Sequence, residues 1–149
     1  MKGLLLAGFL LLGSVLAQSG VQLFQQNCVF CHGDNGQGRI GAFPPLAGHL
    51  TDVVKLAGGR NYLMSVVLFG LQGSIKVKGS SYNGVMPAFS QLTDEQVAGV
   101  LNQILSAWGN DKLLPKDHKP VTAAEVTAAR ANKLIAQQVW ANRAKLNLP

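Results

Sequence analysis

CVFCH, residues 28–32, holds both cysteines of a 149-residue chain, with one of its three histidines directly behind them. Two thiols at this spacing beside an imidazole suit three chemistries: a redox disulfide, part of a zinc site, or covalent attachment of a haem. The residues on either side of the pentapeptide decide among them.

Upstream, MKGLLLAGFLLLGSVLA (1–17) carries one positive charge at Lys2, an apolar run, and then Val15-Leu16-Ala17, which fits a small-residue cleavage site. The run from Gly3 to Ala17 falls short of the ~20 apolar residues that span a bilayer, so residues 1–17 read as a removed export signal rather than an anchor. The mature protein is expected outside the cytoplasm, in the periplasm or at the outer face of the membrane, and to meet that membrane only through partners. About 132 residues then remain, enough for one modest core, and 48% apolar against 13% charged residues excludes a disordered chain.

Residues 18–110 hold five basic and four acidic side chains, whereas residues 111–149 hold seven against three. The basic balance is thus a property of the tail. No basic stripe interleaved with aromatics appears, which leaves nucleic-acid binding without support. We expect a domain over 18–110, a basic helical extension over 111–149, and a monomer.

Val21, Phe24 and Cys28 recur at helical spacing, so the cysteine pair is expected where a short helix ends. Residues 33–48, rich in Gly, Pro and Asn, predict one long loop, and loops of that length usually have a job. Residues 61–69 predict a helix that Gly70 to Gly73 stops. A small ribbon is expected from residues 75–78 and 82–85, with Asn83-Gly84 as a turn signal beside it. Thr93 to Gln96 opens a capping box, after which Val97, Val100, Leu101, Ile104 and Trp108 follow one helical face. Thr122 to Glu125 opens a second box, and residues 137–146 predict a last helix without an obvious N-cap. The class is mainly α.

A structural zinc site takes four protein ligands, and Cys28, Cys31 and His32 crowded together make poor tetrahedral geometry. A thioredoxin-like disulfide prefers a βαβ context, which is absent from the pattern. Cys-x-x-Cys-His is instead the attachment signature of a c-type haem, in which each thiol adds to a vinyl group and the histidine ligates iron. One haem c, tethered through Cys28 and Cys31, is the reading on which motif and export signal agree. The second axial ligand is sought among Met64, Met86, His49 and His118. Met64 sits in a helical apolar pattern and reads as core filling. Met86 lies in the turn-rich SSYNGVMPAF, where Pro87 biases it towards extended backbone, and it is the ligand expected opposite His32. His118 falls in a charged linker, and His49 remains the weaker alternative.

These residues resemble class I cytochrome c. Gly20 to Phe24 followed by CVFCH is similar to that family's N-terminal helix and haem motif. FPPLAG (43–48) is similar to its proximal loop, YNGVMPAF (82–89) to its methionine loop, and LTDEQV (92–97) to the start of its last core helix. The resemblance covers residues 20–108, and it implies helices wrapped around one covalent haem. The longer pattern, with GAFPPLAGH, LQGSIKVKGSSYNGVM and a helical tail, resembles the soluble cytochromes c of thermophilic bacteria. That implies electron delivery to a terminal haem–copper oxidase.

With His32 and Met86 on iron, no position stays open to oxygen or peroxide, so the expected role is a one-electron carrier and not an enzyme. By the same resemblance the Pro44 carbonyl accepts the other ring N–H of His32. Arg60 and Tyr82 are candidates for a haem propionate, because a buried carboxylate needs a charged or hydrogen-bonding partner. An upstream reductase and a downstream terminal oxidase are the expected transient partners. The alternative is a haem-bearing subunit of an exported dehydrogenase. Phe43, Val85 and Ala88 are expected to form a mostly nonpolar docking patch.

Overall fold

Helix α1 (Gly20–Asn27) starts where its sequence says it should: the Ser19 hydroxyl accepts from Gln22 N at 3.2 Å, and the Gln22 side chain accepts from Ser19 N at 3.0 Å. Its inner face buries Leu23 and Phe24. The computed structural model describes residues 18–148, so the export signal expected over 1–17 lies outside the described residues. A one-turn helix α2 (Val29–His32) follows immediately and carries the cysteine–histidine motif. After the long loop come α3 (Leu50–Val54) and α4 (Gly59–Phe69), the latter burying Tyr62, Leu63, Met64, Val67 and Leu68.

Helix α5 (Asp94–Ser106) opens with the Thr93–Gln96 capping box at 3.2 and 2.9 Å and buries Val97, Val100, Leu101, Ile104 and Leu105. It packs against α1 at closest backbone range. A Cβ on Gly20 would meet the Gly99 carbonyl oxygen, so Gly20 is what lets the two helices touch. At the far end Trp108 stacks edge-on to Phe24, centroids 5.1 Å apart, and donates to the Asp34 carbonyl at 3.1 Å.

Between α4 and α5 the chain makes two small antiparallel ribbons. Strand β1 (Leu71–Gln72) pairs with β4 (Val85–Met86), and β2 (Ile75–Val77) pairs with β3 (Ser80–Tyr82). The turn of the inner ribbon is Lys78-Gly79, both at positive φ (50° and 79°). Asn83-Gly84 does not close a hairpin, because its two amides are spent on the Gly41 and Ala42 carbonyls. That contact docks the ribbon on the loop after α2, and Val85 consequently belongs to the outer ribbon rather than the inner one.

The tail continues through a short 3-10 turn (Asn110–Leu113) into α6 (Ala123–Arg130) and α7 (Ala136–Ala144). Helix α6 packs on α4 and α5, and α7 on α4 and β1. Val121, Val126, Ala129 and Val139 join the same hydrophobic cluster as α1, α4 and α5. Val126 and Val139 are fully buried, and each contributes about 1.5–3 kcal/mol by leaving water. Two arginine clamps hold α6. Arg60 Nε and Nη2 meet the Glu125 carboxylate at 2.7 and 2.9 Å while its other donors reach the Lys119 and Pro120 carbonyls, and Arg130 joins Asp94, Ser90 and Leu92. The two pairs are reciprocal, one joining a tail acid to a domain arginine and the other a tail arginine to a domain acid, so the tail keeps its basic balance.

Helix α7 lies along the chain leading into β2 in a fixed register. Gln137 Nε2, Trp140 Nε1 and Arg143 Nη2 donate in turn to Gln72 Oε1, Ser74 O and Lys76 O, each at 2.8 Å. Gly73 makes room for the indole, since a Cβ there would fall within 2.6 Å of three of its ring atoms.

Candidate functional site

His32 closes α2 with its imidazole buried and Nδ1 placed 3.0 Å from the Pro44 carbonyl oxygen. A carbonyl only accepts, so Nδ1 carries the proton and Nε2 presents a lone pair. Burial holds the ring below its ordinary pKa, against the opposing pull of that hydrogen bond, which keeps it neutral. The loop carrying Pro44 is fixed from both sides. Gly38 N donates to His32 O at 2.8 Å, Arg39 N to Phe43 O at 2.8 Å, and Leu46 N to Gly36 O at 2.7 Å.

Asn110 secures the same loop from the end of α5. It is fully buried; its Oδ1 accepts from Gly48 N at 2.6 Å, and its Nδ2 donates to the Leu46 and Ile104 carbonyls at 3.2 and 2.8 Å. One side chain therefore satisfies three backbone groups that would otherwise be buried without partners.

In front of His32 opens a cavity of about 350 Å³. Its wall is overwhelmingly apolar, built from Leu50 and Val53 of α3, Leu63 and Val67 of α4, and Leu101 and Ile104 of α5. Cys28 and Cys31 stand at its edge as free thiols. Burial, with Cys31 beside it, pushes the Cys28 thiol up to about 11. Among the described residues no three His, Cys, Asp or Glu side chains converge on a common metal position.

Met86, Tyr82 and Pro44 all line this cavity. Met64 is buried beside it in the core and does not, and His118 stays in its linker, outside the lining. His49 does reach the cavity. It sits at the start of α3 with Arg143, Asp52 and Lys78 as charged neighbours, and burial first, then Arg143, lowers its pKa to about 4. Arg60, expected at a propionate, stands elsewhere: its guanidinium meets Glu125 and two tail carbonyls, and it lies outside the cavity lining.

The arginine that lines the cavity is Arg143 of α7, buried at 8% exposure. The sequence did carry a sign of it, because Arg143 follows the fully buried Val139 by four residues and must share its helix face. At the mouth, Phe30 and Val85 are 78% and 57% exposed, and Ala88 is exposed beside them in sequence. Phe43, also expected there, is half-buried.

The residues present fit a haem c: two thiols three positions apart, an imidazole with a free Nε2, a thioether, and an apolar wall that excludes water. Comparison with known proteins agrees. Residues 15–102 match the family model described as cytochrome C oxidase, cbb3-type, subunit III. A cytochrome c-552 of Thermus thermophilus is 54% identical over 149 residues, covering 99% of both chains. A second cytochrome c-552 from the same species is 55% identical over 87% of this chain and 97% of its own. The cytochrome c subunit of the quinone alcohol dehydrogenase of Gluconacetobacter polyoxogenes is 32% identical over 83% of this chain, which spans 25% of that subunit.

Proposed function

The chain belongs to the class I cytochrome c family, as a monohaem electron carrier with covalently bound haem c, and from that premise we propose that it delivers electrons outside the cytoplasm to a terminal haem–copper oxidase. The observation that carries this reading is the pairing, in one apolar cavity, of the neutral His32 imidazole with the Met86 thioether.

When bound, haem c supplies one-electron exchange between ferric and ferrous iron. Cys28 and Cys31 would hold it by thioether bonds to its vinyl groups. His32 Nε2 would be one ligand to the iron, its direction and basicity set by the Pro44 carbonyl behind Nδ1. The Met86 thioether, carried on the outer ribbon that β4 makes with β1, would be the second. With both ligands in place, no position would be left for oxygen or peroxide. The soft thioether and the dry wall both favour the ferrous state, and a high potential suits a donor to an oxidase.

A separate carrier is favoured over a dehydrogenase subunit because the match to a stand-alone cytochrome runs end to end, whereas the match to the dehydrogenase subunit takes up 25% of that chain. Residues 18–110 act as the haem-bearing unit and 111–149 as its structural extension, and an upstream reductase supplies the electrons to a monomer. Phe30, Val85 and Ala88 form the docking surface, nonpolar enough that encounter is only weakly steered by charge.

The absorption spectrum tests the ligand assignment. The ferric protein should show the weak red charge-transfer band of sulfur–iron ligation, lost in Met86→Ala and kept in His49→Ala. Retention in Met86→Ala would overturn it. Oxidase reduction rates that fall steeply with added salt would overturn the docking surface.

A further inference from the structure

Arg143 is a buried cation for which the tether, the axial ligands and the clamps on α6 have no use. Its Nη2 donates to the Lys76 carbonyl, and its guanidinium carbon lies 5.9 Å from the centre of the Tyr62 ring. Neither neighbour is an anion. The ion pairs among the described residues are Lys55–Asp52, Arg60–Glu125 and Arg130–Asp94, and none involves Arg143. A guanidinium taken out of water without a counter-charge is costly unless an anion meets it where it points. Arg143 lines the cavity, as do its neighbours Tyr62 and His49.

Two chemically distinct clusters line the cavity, the thiols of Cys28 and Cys31 and the group of Arg143 with Tyr62 and His49, which marks the Arg143 end. The thiols of Cys28 and Cys31, on α2 and at its start, receive the vinyl-bearing half of the macrocycle. The two acid side chains of a haem sit on its other two pyrroles, away from the vinyl groups. The remaining charged and titratable groups at the Arg143 end are Asp52, held at 3.5 Å by Lys55, and Lys78 after β2. Lys78, like Arg143, is positive, so this end is electropositive. Building on the haem reading above, we propose that Arg143, carried on the C-terminal extension, is the counter-ion of a haem propionate. The last helix thereby becomes part of the cofactor site, in the role the sequence pointed to Arg60 for.

The consequence is electrostatic. A fixed positive charge beside the propionate keeps that carboxylate ionised well into acid, and it also disfavours the ferric state. Arg143→Met should therefore lower the midpoint potential and move the pH at which the potential begins to change, the signature of propionate ionisation, to higher pH. Arg143→Lys keeps the charge but loses the planar fork, so its inflection should lie between the two. His49→Gln in each background separates imidazole ionisation from that of the propionate.

The holoprotein is measured by redox titration across the acid and neutral range, beside its spectrum. A c-type spectrum in all variants with superimposable potential–pH curves would overturn the proposal and leave Arg143 as a strap on β2 that affects only melting temperature. Should Arg143→Met not accumulate with haem, the Arg143→Lys curve decides: displacement towards higher pH supports the proposal, and coincidence with the parent overturns it. A wild-type protein without a c-type spectrum would instead refute the haem reading itself.

Discussion

Replacing Asn110 by alanine should be the most damaging single change of a polar side chain in this protein. The side chain is fully buried and makes three hydrogen bonds, from Gly48 N and to the Leu46 and Ile104 carbonyls. Each net bond contributes about 0.5–1.5 kcal/mol, and a buried group left without a partner costs about 1–3 kcal/mol. Ile104 O lies in the last turn of α5 and gains the least from relaxation, whereas Gly48 and Leu46 are in a loop that water can enter. Allowing for that water, we expect a loss of about 3 kcal/mol, or roughly 10 °C in a chain of this size.

Guanidinium denaturation of the ferric protein, followed by Soret circular dichroism, measures it. The potential should fall as well, because the loop that loosens is the one placing Pro44 behind His32. Asn110→Asp sharpens the test. It keeps the acceptor for Gly48 N but turns an oxygen in place of a donor towards two carbonyl oxygens, so the folded protein should raise the pKa of the new carboxyl. A raised folded-state pKa gives stability that is present at low pH and lost as pH rises through it, so Asn110→Asp should recover on acidification. A loss below about 1 kcal/mol in Asn110→Ala would refute the three-bond reasoning.

Three further outcomes follow from the packing. Glu125 is lowered from 4.5 to about 2, chiefly by its hydrogen bonds from Arg60, so its stabilising share is present above pH 4.5 and lost as pH falls towards 2. Glu125→Gln should flatten the acid limb of the melting-temperature profile over that window. Gly20→Ala gains helix propensity but drives a methyl into the Gly99 carbonyl, so a net loss of about 1–2 kcal/mol is expected, read as a lower denaturation midpoint with an unchanged spectrum. Ending the chain at Lys119 removes Val121, Val126 and Val139 from the core, and melting should fall by tens of degrees. An unchanged melting point would show that the extension does not brace the fold.

What the sequence displays well is local. The Thr93 and Thr122 capping boxes and the stripe from Val97 to Ile104 place α5 and α6 nearly to the residue, because cap and helix are set within a few positions. The start of α7 is obscure for an equally physical reason: Ile135 has no side-chain acceptor, and only half a box exists, in Gln138 accepting from Ile135 N at 3.0 Å. Asn83-Gly84 is a strong hairpin dipeptide, yet its amides are needed by the loop at Gly41 and Ala42, and that demand from far along the chain cannot be read locally.

The same limit governs the arginines. Arg60 stands out by its position after two glycines, but its partner lies 65 residues away at Glu125. Arg143 reads, beside Lys145, as part of a polar face, although its four-residue offset from Val139 puts it on the buried one. His32, Pro44 and Met86 stand out because family motifs carry them, and Leu101 and Ile104 of the wall show in the α5 stripe; Leu50 and Val53, on the five-residue α3, do not.

The register of α7 along residues 72–76 has a kinetic side. This helix is short, starts without a side-chain cap, and buries only Val139 and Arg143 beside its three hydrogen bonds to one strip of chain, whereas α5 buries six side chains. Its opening should therefore be the least costly sub-global fluctuation in the molecule, well below the free energy of complete unfolding. Slow amide exchange in α5 and faster, separately cooperative exchange in α7 would then time the haem's exposure to solvent by a nine-residue segment at the chain's end, independently of the core that carries it.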